Sequence, residues 1–131
     1  MQRRDLIWFL LLILSGEKVV QHVFVTMALL FDFGGIRSTL AVDYRALAIS
    51  GVILAILFAF SFWAVLLKKG WALYLLAAIA AFDVVGEFIA QGTFTIAINV
   101  SILVAFILLI LCLFQFRNLK QAEKTGKDQS A

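Results

Sequence analysis

The chain has 131 residues, 64% of them hydrophobic and 15% charged, with no proline and one cysteine. A soluble domain is nearer half apolar, so the composition excludes an ordinary soluble fold, and little chain is left outside the apolar runs. The net charge of +3 does not point to nucleic acid, because the cations are dispersed at the edges of those runs and form no patch.

Runs of about 20 apolar residues read as transmembrane helices. Four are predicted, over residues 6–31, 46–67, 71–91 and 94–116. Together they give a single domain over 1–117, followed by a polar tail over 118–131 that reads as frayed helix and then disorder. Barrel strands would alternate between apolar and polar residues, and these runs do not. The predicted fold is therefore all-α: an integral membrane four-helix bundle, multi-pass in the cell membrane.

The first run is the least uniform. Arg3 and Arg4, then residues 6–14, then Ser15-Gly16 have the outline of a secretory signal. The outline fails at the cleavage site, where Ile13 or Leu14 would stand in place of a small residue, and the apolar run resumes at Val19. On a helical wheel Glu17 and Gln21 share one stripe, while Ser15, Lys18, His22 and Thr26 occupy the next. Gly16, Val19, Val20, Val23 and Met27 fill the opposite side. The link after Phe31 opens Asp32-Phe33-Gly34-Gly35, a turn signal. Its apolar Ile36, Leu40 and Val42 fit a lid on the outer interface or a plain connector.

The second run has no ionisable group at membrane depth but carries Gly51, Ala55 and Ala59 at four-residue spacing. Such a stripe lets helices approach closely, within the bundle or between copies. In the third run Asp83, Glu87 and Gln91 share a stripe; in the fourth Thr95 and Asn99 do. Cys112 has no partner thiol, which excludes an intrachain disulfide or a CxxC redox pair.

Lys and Arg mark cytoplasmic ends. An even number of spans puts Arg3, Arg4, Lys68, Lys69, Arg117, Lys120, Lys124 and Lys127 on one side. On the other, Arg37 and Arg45 are offset by Asp32 and Asp43. Both termini are expected in the cytoplasm, with Trp8, Trp63 and Trp71 forming an aromatic belt at that interface.

Charges at bilayer depth are costly and mark functional sites. The expected site gathers Glu17, Lys18, Gln21, His22, Asp83, Glu87 and Asn99, from the midplane to the outer half. Glu17 and Asp83 are its core acids, Lys18 the counter-ion, Glu87 and Asn99 the outer gate, and His22 a proton carrier. Three acids against one lysine leave a negative excess, which a proton on a carboxyl, a cationic His22 or a bound cation would relieve. The plainer alternative is that an acid pairs with Lys18 simply to join two helices.

No metal or cofactor is expected. A bis-His haem needs a second histidine, and the paired Glu-x-x-His pattern of di-iron bundles is missing. There is no phosphate loop, nucleophile elbow or HExxH, and no catalytic residue is assigned.

The layout resembles the DoxX-like group of small bacterial and archaeal membrane proteins, which have four helices, cytoplasmic termini and a Gly followed closely by Lys in the first helix. Here that region reads Ser15-Gly16-Glu17-Lys18, about one residue from the usual spacing. The resemblance implies a partner of the quinone-linked sulfur-oxidation type and carries over no catalytic residue.

The leading expectation is a protein that binds or passes a proton, small cation or small polar solute. One alternative is an accessory subunit of a quinone-linked redox complex. Another is a membrane enzyme using an intramembrane carboxyl as general acid on a lipid-soluble substrate. Expected partners are the bilayer and further copies of the chain or a larger membrane complex.

Overall fold

Helix α1, Arg3–Phe31, runs 29 residues, about 43 Å at the α-helical rise. It ends where Asp32 enters the left-handed region (φ 51°) and donates its N–H to Ala28 O. The carbonyls left over at that end are satisfied from downstream. Arg37 Nε donates to Leu29 O at 2.8 Å and Arg37 Nη2 to Leu30 O at 2.6 Å, while Arg37 N donates to Asp32 Oδ1 at 3.0 Å. A buried or half-buried helix end needs such partners. The chain can turn back this sharply because Gly34 and Gly35 sit at φ +66° and +71°, a region that costs glycine little. Arg37 and Asp32 thus form a clasp that ends α1 and starts the 3-10 segment Phe33–Thr39.

The computed structural model describes residues 2–91 and 100–130. Helix α2, Tyr44–Leu66, opens with Asp43 Oδ1 accepting from Arg45 N, a standard N-terminal cap. It closes through Lys68 at φ 52°. The link to α3, Trp71–Gln91, is four residues long, so the two helices are antiparallel neighbours. Helix α4 is described over Val100–Ser130. These four helices are long and apolar enough to cross a membrane, and large apolar side chains such as Val20, Phe24, Ile49, Ile56 and Leu113 face outward. The protein is a small multi-pass membrane protein.

The first three expected spans correspond closely to α1, α2 and α3, and the fourth matches α4 from residue 100, its expected start at 94–99 lying outside the described residues. The tail beyond residue 117 does not fray: α4 continues unbroken to Ser130. Its residues from Arg117 onward are mostly good helix formers, and Glu123 pairs with Lys127 one turn on, at 3.1 Å. At about 46 Å, α4 exceeds the ~30 Å hydrocarbon thickness, so its C-terminal turns project from the membrane.

The packing is cyclic. Helix α1 packs on α2 and α4, and α3 packs on the same two, so α1 and α3 stand at opposite corners. The apolar core lies towards the end that carries both termini. It contains Leu11, Phe58, Leu73, Leu76 and Leu108, all at 2% exposure or less. Trp8 belongs to this core and is 7% exposed, whereas Trp63 and Trp71 are exposed. The expected aromatic belt therefore reduces to two residues, because the helical face that carries Trp8 also carries Leu11.

Gly51 is used inside the chain. A Cβ there would lie 2.4 Å from Thr26 Oγ1, so the absence of a side chain lets α2 close on α1. The stripe Gly51-Ala55-Ala59 is therefore divided: Gly51 faces α1, while Ala59 is exposed. We predict that Gly51→Ala destabilises the protein by about 1–3 kcal/mol through overpacking. Gly86→Ala, whose Cβ meets nothing within 4 Å, is expected to be neutral or mildly stabilising. Pairing Gly51→Ala with Thr26→Ala recovers much of the loss. Thermal unfolding in detergent of Gly51→Ala, Thr26→Ala and the double variant against wild type checks this coupling, with Gly86→Ala as the control.

Candidate functional site

Glu17 and Lys18 are adjacent, so their side chains leave α1 about 100° apart. Only one of them can point across the bundle, and it is Lys18. Its side chain is fully buried, and its Nζ donates to Asp83 Oδ2 at 2.6 Å, to Ser101 O at 2.9 Å and to Ser101 Oγ at 2.9 Å. An ammonium has three N–H groups, and here each has an acceptor from α3 or α4. The ion pair spans the diagonal between opposite helices. Asp83, 4% exposed, presents its other oxygen, Oδ1, to His22 Nε2 at 3.3 Å, outside hydrogen-bond alignment. The His22 ring stacks on Phe58 with centroids 5.4 Å apart, which fixes its plane.

Glu17 does not join this group. It forms no hydrogen bond or ion pair with the described residues, and its Oε2 is buried without a partner. The expectation that Glu17 and Asp83 meet as twin core acids is corrected by the wheel: turning Lys18 inward carries Glu17 to the side. The local charge count changes accordingly. Lys18 and Asp83 form an ion pair, Glu17 takes no part in it, and Glu87 lines the same cavity as Asp83.

Above the pair, on the side of the 3-10 segment, lies a cavity of about 570 Å³. Its polar wall is made by Gln21, His22, Asp83, Glu87 and Ser101. Its apolar wall is made by Val25, Leu29, Leu47, Leu54 and Phe82. Ile36, Thr39 and Leu40 of the returning segment also line it, and Ala41 N donates to Ala90 O at 3.1 Å, stitching that segment to α3. Gly86 stands on the wall facing open space. The segment thus lines the cavity on that side, in keeping with either reading of its apolar residues, lid or connector.

Of the expected site residues, the structure brings Lys18, His22 and Asp83 into one contact group and puts Gln21 and Glu87 on the same cavity wall. Asn99, expected level with Glu87, lies outside the described residues. Glu87, with no ion pair among the described residues, lines the cavity, as does Gln21, whose Oε1 is itself buried without a hydrogen bond. Among the described residues, no three His, Cys, Asp or Glu side chains converge as metal ligands. Ser101 was missed as a site residue. Its signal is a lone hydroxyl in an apolar helix, legible only once Lys18 is known to need three acceptors.

Comparisons of the chain with protein families, with curated proteins and with solved structures give no match.

Breaking a buried pair leaves one charge uncompensated, at a cost of about 3–5 kcal/mol. We predict that Asp83→Asn lowers stability by about that amount, whereas the double variant Lys18→Met/Asp83→Leu lies much closer to wild type. Denaturant titration in mixed micelles, followed by circular dichroism, checks the order of the three proteins.

Proposed function

We propose that the protein binds a small amphipathic solute carrying a cationic or hydrogen-bond-donating head in this cavity. The observation that carries this reading is Glu87, without an ion pair among the described residues, on the wall of a largely apolar 570 Å³ space. Small-molecule sites are typically about 300–1,000 Å³, mostly apolar, with a few placed polar groups. Lys18 already satisfies Asp83, so the residual negative charge on the wall belongs to Glu87.

Binding is favoured over passage by what lies beneath. On the far side of the Lys18–Asp83 pair the bundle is filled mainly by Leu11, Phe58, Leu76 and Leu108, with Ser15, Ser61 and Gln115 also buried at that end. The site is a cavity with Ile36, Thr39 and Leu40 along the end opposite the termini. With the charge distribution of the loops, that end faces away from the cytoplasm.

The test uses two probes with the same tail, n-hexylamine and hexanoate. The amine is expected to raise the melting temperature of the purified protein in a saturable way, hexanoate to leave it unchanged, and Glu87→Gln to weaken the amine response about tenfold. Equal responses to both probes, or an undiminished response in Glu87→Gln, would refute the assignment.

A further inference from the structure

A second concavity, of about 470 Å³, lies at the other end of the molecule, where the first turn of α1 meets the projecting turns of α4. Arg3 and Arg4 form one side. Asn118, Gln121, Thr125 and Gln129 form much of the other. The α4 residues recur at three- and four-residue intervals and share one face. That face is uncharged and rich in hydrogen-bonding amides, while the charged Lys120, Glu123, Lys124 and Lys127 do not line the concavity.

Arg3 and Arg4 have no acidic partner among the described residues. Asp5, the nearest acid in the chain, is engaged by Lys68 at 3.0 Å, and Glu123 is engaged by Lys127. No side chain caps the start of α1, the turn that carries the two guanidinium groups. An uncapped helix start beside two unpaired arginines is suited to a phosphate. Its height in the membrane selects the source. One turn further along α1, Leu6, Phe9 and Leu10 are exposed and apolar, which sets Arg3 and Arg4 at the boundary between hydrocarbon and headgroups.

We infer that this concavity holds the phosphate of an acidic phospholipid headgroup, with the acyl chains lying over the exposed Leu6 and Phe9. The guanidinium groups supply charge and bidentate donors, and the amides of α4 supply neutral donors to the headgroup's remaining oxygens. Basic residues at a cytoplasmic membrane surface attract anionic lipid in general; here they face a row of amide and hydroxyl groups on α4, and so predict a preference tied to these two arginines.

The experiment compares the full chain in phosphatidylcholine nanodiscs with and without phosphatidylglycerol, reading the melting temperature and the lipid retained on extraction. Phosphatidylglycerol is expected to raise the melting temperature by about 5 °C and to be retained preferentially. Arg3→Gln/Arg4→Gln loses both effects, and Arg3→Lys/Arg4→Lys retains part of them. Both arginines are exposed, so the glutamine pair is expected to match wild type in pure phosphatidylcholine. Lys120→Gln/Lys124→Gln removes the same charge outside the concavity and should leave the response intact. An equal loss in that variant would overturn the site in favour of diffuse attraction. An equal response to soluble glycerol phosphate would overturn the lipid as the occupant. An undiminished response in the glutamine pair would overturn the proposal altogether.

Discussion

One ammonium group organises this bundle. Lys18 sits where no water reaches, and its three donors require three acceptors in fixed directions. Asp83 on α3 and Ser101 on α4 provide them. Because α1 and α3 stand at opposite corners, this interaction crosses the axis and sets the depth of α1 relative to both distant helices. Apolar packing alone is a poor guide to such register in a membrane, since lipid tails compete on equal terms with side chains. The pair resists sliding, because displacing Lys18 by one residue would bring Glu17 to the axis and set two carboxylates against each other.

The same interaction divides the interior. On one side the core is filled mainly by leucines, phenylalanine and alanines. On the other, the helices leave a chamber bounded by His22, Asp83 and Glu87 and lined by the segment that follows α1. Two devices hold that segment. Arg37 ties its beginning to the end of α1, and the Ala41–Ala90 hydrogen bond ties its end to α3. The chamber therefore depends on a loop whose glycines permit the turn and whose arginine fixes it. The two acids that offset Arg37 and Arg45 in the loop's charge count have distinct structural tasks, Asp32 in the clasp and Asp43 as a cap.

Much of the fold was legible in the sequence because bilayer thickness imposes length and the apolar runs supply it. The depth of the polar residues was legible too, since the rise per residue is fixed. Their rotation was less so. A wheel shows that Glu17 and Lys18 diverge but not which of them turns to the axis; that choice belongs to acceptors on α3 and α4, far away in the chain. Ser101 was invisible for the same reason. The segment lining the chamber was half legible, because Ile36 and Leu40 advertised an apolar surface without saying what it faces. The α4 extension was misread because polarity was taken as a sign of disorder, whereas Glu123, Lys127 and their neighbours favour helix as well as solvent.

The separation of 65 residues between Lys18 and Asp83 bears on how the molecule is made. A chain emerging from the ribosome N-terminus first delivers the lysine to the bilayer with the first helical hairpin, well before the aspartate has been synthesised. During that interval the cation has no carboxylate to meet and must stay hydrated or remain shallow. Final seating of α1 is therefore deferred until the third helix arrives. A helix made before α3 is thereby among the last to settle.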